Sequence, residues 1–147
     1  MKANEIDWQH LLQHALKLRE RAYAPYSQFA VGAALLAADD RLYGGCNVEN
    51  ASYGATHCAE RTALFSAVAA GEQKAAFRAL VVVADTERAI SPCGICRQVL
   101  VELCPPEMPV MMANLKGERQ MTTVGELLPF AFDRKQLLSE GNENVNE

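Results

Sequence analysis

The stretch RALVVVAD, residues 78–85, constrains the fold more than any other. It is continuous, apolar and β-branched, as in a strand buried on both faces of a sheet. On either side of it the pattern turns helical. Residues 58–70 read as a helix that closes on Gly71. Residues 93 to about 103 read as another, ended by Pro105 and Pro106. Residues 109–113 form a further strand. Strands that alternate with helices predict an α/β layered fold with a partly parallel sheet.

The first half leads into that arrangement. Residues 5–22 form an amphipathic helix, with Ile6, Trp8, Leu11, Leu12, Ala15, Leu16 and Leu18 on one broad face, and Pro25 stops it. Residues 29–37 are apolar, interrupted by Gly32 alone, and read as a strand. The turn at AADDR joins it to a second strand over 41–48, which predicts a hairpin. Near the C-terminus, Thr123-Val-Gly-Glu126 is a capping-box pattern that opens a short helix, cut off at Pro129. At 147 residues, half of them hydrophobic, the chain can bury one proper core. The expected organisation is one domain over residues 1–135 and a polar, disordered tail over 136–147.

Charge narrows the function classes. The formal net charge is −4 and the basic residues are scattered, so no basic patch marks a nucleic-acid binder. No run approaches the roughly 18 apolar residues of a membrane helix. The opening MKANEIDWQH lacks the apolar core of a signal peptide. The expected setting is soluble and cytoplasmic. Five cysteines, an odd number in a reducing compartment, speak against a disulfide framework and leave metal binding or burial.

Cys93 and Cys96 share one face of a first helical turn and could clasp one metal ion. Alone, CxxC suits a redox dithiol or a structural zinc site equally well. Cys58 changes the reading, because it too opens a helix after a turn-like segment. Three ligands from two helix starts would leave a fourth position for water, the mark of a catalytic zinc. Cys104 lies eight residues past Cys96, about 12 Å along a helix, too far for the same ion. Cys104 and Cys46 read as small buried hydrophobes. His57 adjoins Cys58, but neighbours at a helix start diverge, so it is not expected to bind the same ion. Glu60, two places from Cys58, could stand beside the metal and move protons between water and substrate. On its own it could equally be an acid that favours the helix dipole. Three thiolates outweigh the charge of one zinc. Two helix N-termini would offset the excess, with Arg61 and Arg97 as candidate hydrogen-bond donors to sulfur. Of these, Arg97 reads better as a surface salt-bridge residue.

C-A-E at 58–60 with P-C-x-x-C at 92–96 resembles the zinc deaminase signature in its all-cysteine form. The segments AYAPYSQFAVGAAL (22–35), GGCNVENASYG (44–54), CAERTALF (58–65), SPCGICRQVL (91–100) and ELLPFAF (126–132) resemble the short, homotetrameric cytidine deaminases. The likeness covers roughly residues 5–135. It implies a three-layer α/β/α fold with a five-stranded mixed sheet. It implies one zinc per subunit held by Cys58, Cys93 and Cys96. Glu60 would shuttle protons while hydroxide attacks C4 of cytosine and ammonia leaves, and Arg61 would neutralise thiolate charge. Phe29, Asn47, Glu49, Tyr53 and Ala59 would line the pocket, with Phe132 supplied by a neighbouring subunit of a homotetramer. The residues themselves support part of this. Asn47 and Glu49 stand at i and i+2 of a strand and face one side, where an amide and a carboxylate could grip a ribose hydroxyl. Two exposed polar residues at a strand end fit that spacing as well. Phe29 could stack on a base or fill the core.

The function so implied is zinc-dependent hydrolysis of cytidine and 2′-deoxycytidine to the uridines and ammonia, in pyrimidine salvage. Several alternatives fit less well. The longer two-domain branch of the family carries His where Cys58 stands. A nucleic-acid cytosine deaminase needs a basic channel, which the acidic balance opposes. Blasticidin-type deaminases, which act on a related aminonucleoside, share both motifs but lack the N-V-E-N segment present at 47–50. A non-catalytic zinc module would need a fourth ligand and would leave Glu60 without a role. A metal-free redox CxxC would leave Cys58 without one.

Overall fold

The computed structural model describes residues 5–138. The element order is α1 (Trp8–Arg19), β1 (Val31–Ala37), β2 (Leu42–Cys46), a 3-10 turn (Tyr53–Ala55), α2 (Ala59–Ala69), β3 (Phe77–Ala84), α3 (Gly94–Leu103), β4 (Pro109–Asn114), β5 (Arg119–Thr123), α4 (Val124–Leu127) and α5 (Arg134–Leu137). The tail expected past 135 begins within α5, and its residues beyond 138 lie outside the described ones. No described helix is long and apolar enough to cross a membrane.

The five strands form one sheet in the order β2-β1-β3-β4-β5. β1 pairs antiparallel with β2 and with β3. β3 and β4 run parallel, with α3 as the crossover, and β5 returns antiparallel to β4. The central position of β3 explains its composition, since every residue of it but Arg78 is buried. Alternate β3 side chains enter two separate cores. Leu80 and Val82 pack against α2 and α3, with Ala63, Leu64 and Leu100. Val81 and Val83 pack against α1, with Leu11, Leu12 and Ala15. A mixed sheet between two helical layers is thus the three-layer α/β/α architecture.

The helices follow local rules. Asp7 caps α1 by accepting from His10 N at 3.1 Å. Gly71, at φ 105°, closes α2, with Glu72 N donating to Ala67 O. Thr123 caps α4 by accepting from Glu126 N, and its own hydroxyl is in hydrogen-bond range of the Glu126 carboxylate. Boundaries of the first strands differ from expectation. β1 begins at Val31, because Gln28 adopts φ 57° and turns the chain just before Phe29. β2 ends at Cys46; Val48 continues as isolated bridges to Tyr23 and His57. β5, α5 and the 3-10 turn were not expected from sequence periodicity.

Two glycines permit the layers to close. A Cβ on Gly45 of β2 would sit 2.2 Å from Ala59 O and 2.6 Å from Ala63 N of α2. A Cβ on Gly32 of β1 would sit 2.0 Å from Ala15 O of α1. Gly45→Ala is expected to cost about 2 kcal/mol or more through overpacking against backbone. Gly54→Ala, where an added methyl meets nothing within 4 Å, should stay within about 0.5 kcal/mol. Denaturant unfolding of both variants checks this; equal destabilisation would refute the close-packing account.

Candidate metal centre

The approach of α2 to Gly45 fixes the position of its N-terminus. Cys58 is the N-cap of α2 and Cys93 the N-cap of α3, both with extended backbone. Cys96 lies one turn into α3 and is fully buried. The Sγ atoms of Cys58 and Cys93 stand 3.7 Å apart, and all three sulfurs lie within 4.8 Å of one another. A tetrahedral zinc with Zn–S near 2.3 Å needs sulfurs about 3.8 Å apart, so this donor set fits one zinc ion. Soft thiolates also favour zinc over magnesium or calcium. Three donors leave one position open.

Other cysteines and the neighbouring histidine stay outside. Cys104 is buried at the C-cap of α3, where burial pushes its thiol up to about 12. Cys46 is only half-buried, less than expected. The His57 ring packs edge-on against Phe65, with centroids 5.4 Å apart. Its backbone exchanges both hydrogen bonds with Val48, at 2.9 and 3.0 Å. Through its main chain, His57 therefore anchors the chain just before Cys58 to Val48.

The electrostatics centre on Arg61. Its Nη2 donates to Cys58 Sγ at 3.3 Å. Burial works against its charge, but hydrogen bonding to Cys58 and Cys96 outweighs this and keeps the guanidinium charged. Its Nε is buried without a partner, which leaves an unspent donor near the thiols. The Cys58 thiol is lowered to about 5, chiefly by a hydrogen bond from Cys96 and, against burial, by Arg61. That same bond, and then burial, drive the Cys96 thiol upward. The two thiols thus share a proton until a metal displaces it.

Glu60, in the first turn of α2, is 3% exposed. Burial raises its carboxyl to about 7, and the negative Cys58 adds to the rise. Simple dipole stabilisation does not account for such a carboxylate, because a dipole role needs no burial.

The other expected pocket residues fall into two groups. Asn47 and Glu49 turn to the same side, toward residues 26–31. Asn47 is buried; its Nδ2 donates to Phe29 O at 2.7 Å and its Oδ1 accepts from Val31 N at 2.9 Å. One amide N–H remains. Glu49 Oε1 accepts from Tyr26 N and Ser27 N at 2.9 and 3.1 Å. Phe29 is 39% exposed, beyond the core. Tyr53 is exposed and meets Tyr26 edge-on at 6.1 Å. Ala59 is fully buried beside Cys58. Phe132 belongs to the second group. It is 56% exposed on the segment that follows α4, where its carbonyl accepts from Gln98 Nε2 of α3 at 2.8 Å. A cleft of about 560 Å³ runs between α3 and α5 past Lys74, Glu102 and Arg134, and none of these pocket residues lines it.

Arg97 differs from its expected role. It makes no salt bridge among the described residues and does not hydrogen-bond a thiol. Its Nε donates to Pro92 O and its Nη1 to Leu127 O, each at 2.8 Å, and Nη2 reaches Ser91 Oγ. It fastens the loop before Cys93 to the end of α4. Nothing in the sequence pointed to this, because Leu127 lies 30 residues away.

The family described as "Cytidine and deoxycytidylate deaminase zinc-binding region" matches residues 6–112. A cytidine deaminase of Sporosarcina psychrophila is 54% identical over 132 residues, 90% of this chain and 96% of that protein. One from Halalkalibacterium halodurans is 52% identical, over 90% of this chain and 98% of that protein. The crystal structure of a cytidine deaminase from Burkholderia pseudomallei superposes with a TM-score of 0.85 at 52% identity, covering 86% of this chain and all of that one.

In zinc-free protein, Cys58 is expected to react with iodoacetamide at pH 6.5, well above its lowered pKa of about 5, while Cys104 stays inert. Zinc should protect it. Mass mapping of labelled sites reads the outcome, and a Cys58 as slow as Cys104 would remove the case for a thiolate there. Arg97→Lys loses the fork geometry and should lower stability by about 1–3 kcal/mol, read by denaturant unfolding.

Proposed function

We propose a reaction that proceeds from one fact: the chain belongs to the cytidine and deoxycytidylate deaminase family. The reaction is hydrolysis of the C4 amino group of cytidine, giving uridine and ammonia, and the same reaction on 2′-deoxycytidine. The observation that carries it is a buried glutamate, Glu60, held beside a three-thiol cluster with an open position.

In this reading Cys58, Cys93 and Cys96 hold the zinc ion. Zinc supplies Lewis acidity, which makes water a competent nucleophile near neutral pH. Glu60 accepts a proton from that water as its oxygen adds to C4. It returns the proton to N3 of the ring, then carries another to the amino nitrogen, which leaves as ammonia. A carboxyl poised near neutrality can both take and give a proton at working pH. Arg61 keeps excess thiolate charge from blunting the metal, aided by the two helix N-termini. Phe29 faces the base, Asn47 and Glu49 hold the sugar, and Ala59 and Tyr53 border the pocket.

Tyr53 presents an exposed side to solvent. We assign Phe132 of a neighbouring copy to that side, within a homotetramer. Exposed Phe130, Phe132 and Tyr53 suit burial between subunits. Residues 1–135 form the working domain. Acidic charge and a small nucleoside substrate suit a cytoplasmic pyrimidine-salvage enzyme rather than one that acts on nucleic acid.

Glu60→Gln is expected to keep zinc and fold but to lower kcat by roughly 10²–10⁴. Near-normal turnover in that variant, followed by ultraviolet absorbance with zinc content measured alongside, would exclude the proton-shuttle role. Stripping zinc should abolish the absorbance change with cytidine, and adding zinc should restore it. Zinc-loaded protein that leaves cytidine unchanged would overturn the reaction assigned here.

A further inference from the structure

Glu49 is an unusual choice for a sugar-gripping carboxylate unless something holds it, because a free glutamate has several rotatable bonds and stays solvated. The structure supplies the hold. Two backbone N–H groups, of Tyr26 and Ser27, point at Oε1. The Ser27 hydroxyl donates to Oε2. That same hydroxyl oxygen accepts from Phe29 N at 3.0 Å. It can do so because Gln28, at φ 57°, doubles the chain back between them. Phe29 O in turn accepts from Asn47. One hydroxyl thus sits between the carboxylate that meets the sugar and the backbone that aims the aromatic ring.

We propose that Ser27 is a positioning residue that couples the sugar contact of Glu49 to the base contact of Phe29. Its donor side fixes which lone pairs Glu49 turns to the substrate. Its acceptor side fixes the backbone of Phe29. Substrate that engages the carboxylate through a ribose hydroxyl therefore meets an already oriented ring. The lowered carboxyl of Glu49, with Ser27 as the leading cause, accords with an acceptor held ionised for that hydroxyl. The coupling rests on the sugar role given to Glu49 above.

The test is steady-state kinetics of zinc-loaded Ser27→Ala, Ser27→Thr, Glu49→Ala and the Ser27→Ala/Glu49→Ala pair. Substrates are cytidine and its 2′-, 3′- and 5′-deoxy analogues. Ser27→Ala should raise KM for cytidine roughly three- to ten-fold, as befits one lost bond to a charged group, with kcat within about two-fold. That penalty should shrink on the one analogue for which the Glu49→Ala penalty also shrinks. Ser27→Thr, which keeps the hydroxyl, should recover most of the affinity. The pair should cost clearly less than the sum of the two single variants. An equal Ser27→Ala penalty on every analogue, with Glu49→Ala still discriminating among them, would reduce Ser27 to a general structural role and overturn the coupling alone. A Glu49→Ala penalty indifferent to every hydroxyl would overturn the sugar reading and the coupling together.

Discussion

The structure depends on backbone meeting backbone where α2 lies on β2. With no side chain at Gly45, the first turn of α2 settles onto the sheet, and the close approach sets where the helix begins. Cys58 and Glu60 belong to that turn, so both the nearest metal ligand and the carboxylate inherit its position. α3 reaches the same point from the crossover between the two parallel strands. Its N-terminus brings Cys93 and Cys96. Two helix starts that meet head-on would ordinarily repel, each being partly positive. Thiolates between them remove the conflict, so metal centre and helix packing stabilise each other.

The two acids of the site are shifted in opposite directions, Glu60 by burial and Glu49 by hydrogen bonds. Glu60 is enclosed, and loss of water makes its charge expensive, so its proton is held to near neutrality. Glu49 is reached by water and gripped by three donors, so it stays ionised. One fold therefore provides a carboxyl poised near neutrality and a fixed ionised acceptor from the same residue type. Arg61 permits this arrangement. Its charge beside Cys58 works against the rise at Glu60.

Much of this was legible in the sequence, for physical reasons. Helix starts and stops are local, so α1, α2, α3 and α4 could be read from Pro25, Gly71, Pro105 and the Thr123–Glu126 pair. Metal ligation was legible because thiol spacing at helix starts is itself geometry. The misses share a cause. β5 reads RQMTT, an edge strand whose exposed, mixed side chains carry no period. Phe29 looked like the start of a strand because nothing in its neighbours announces the left-handed Gln28. Arg97 and Ser27 bind groups 30 and 22 residues away, and a motif gives no sign of such partners. The spacing of Asn47 fits a grip on a sugar hydroxyl or an exposed strand end, whereas most of its hydrogen-bonding capacity holds the loop in place.

Residues 23, 47–49 and 57 are laced together by main-chain hydrogen bonds alone, from Tyr23 to Asn47 and Glu49 and between Val48 and His57. The lacing ties Asn47 and Glu49 to the residue before Cys58. Since peptide groups carry it, side chains at 23, 48 and 57 can drift in size and polarity without moving the centre. Proline is the exception, because it removes the donor on which each bridge relies. Relatives that keep this chemistry can therefore vary freely at three positions next to the site, and a sequence comparison that scored those positions by side-chain identity would undervalue them.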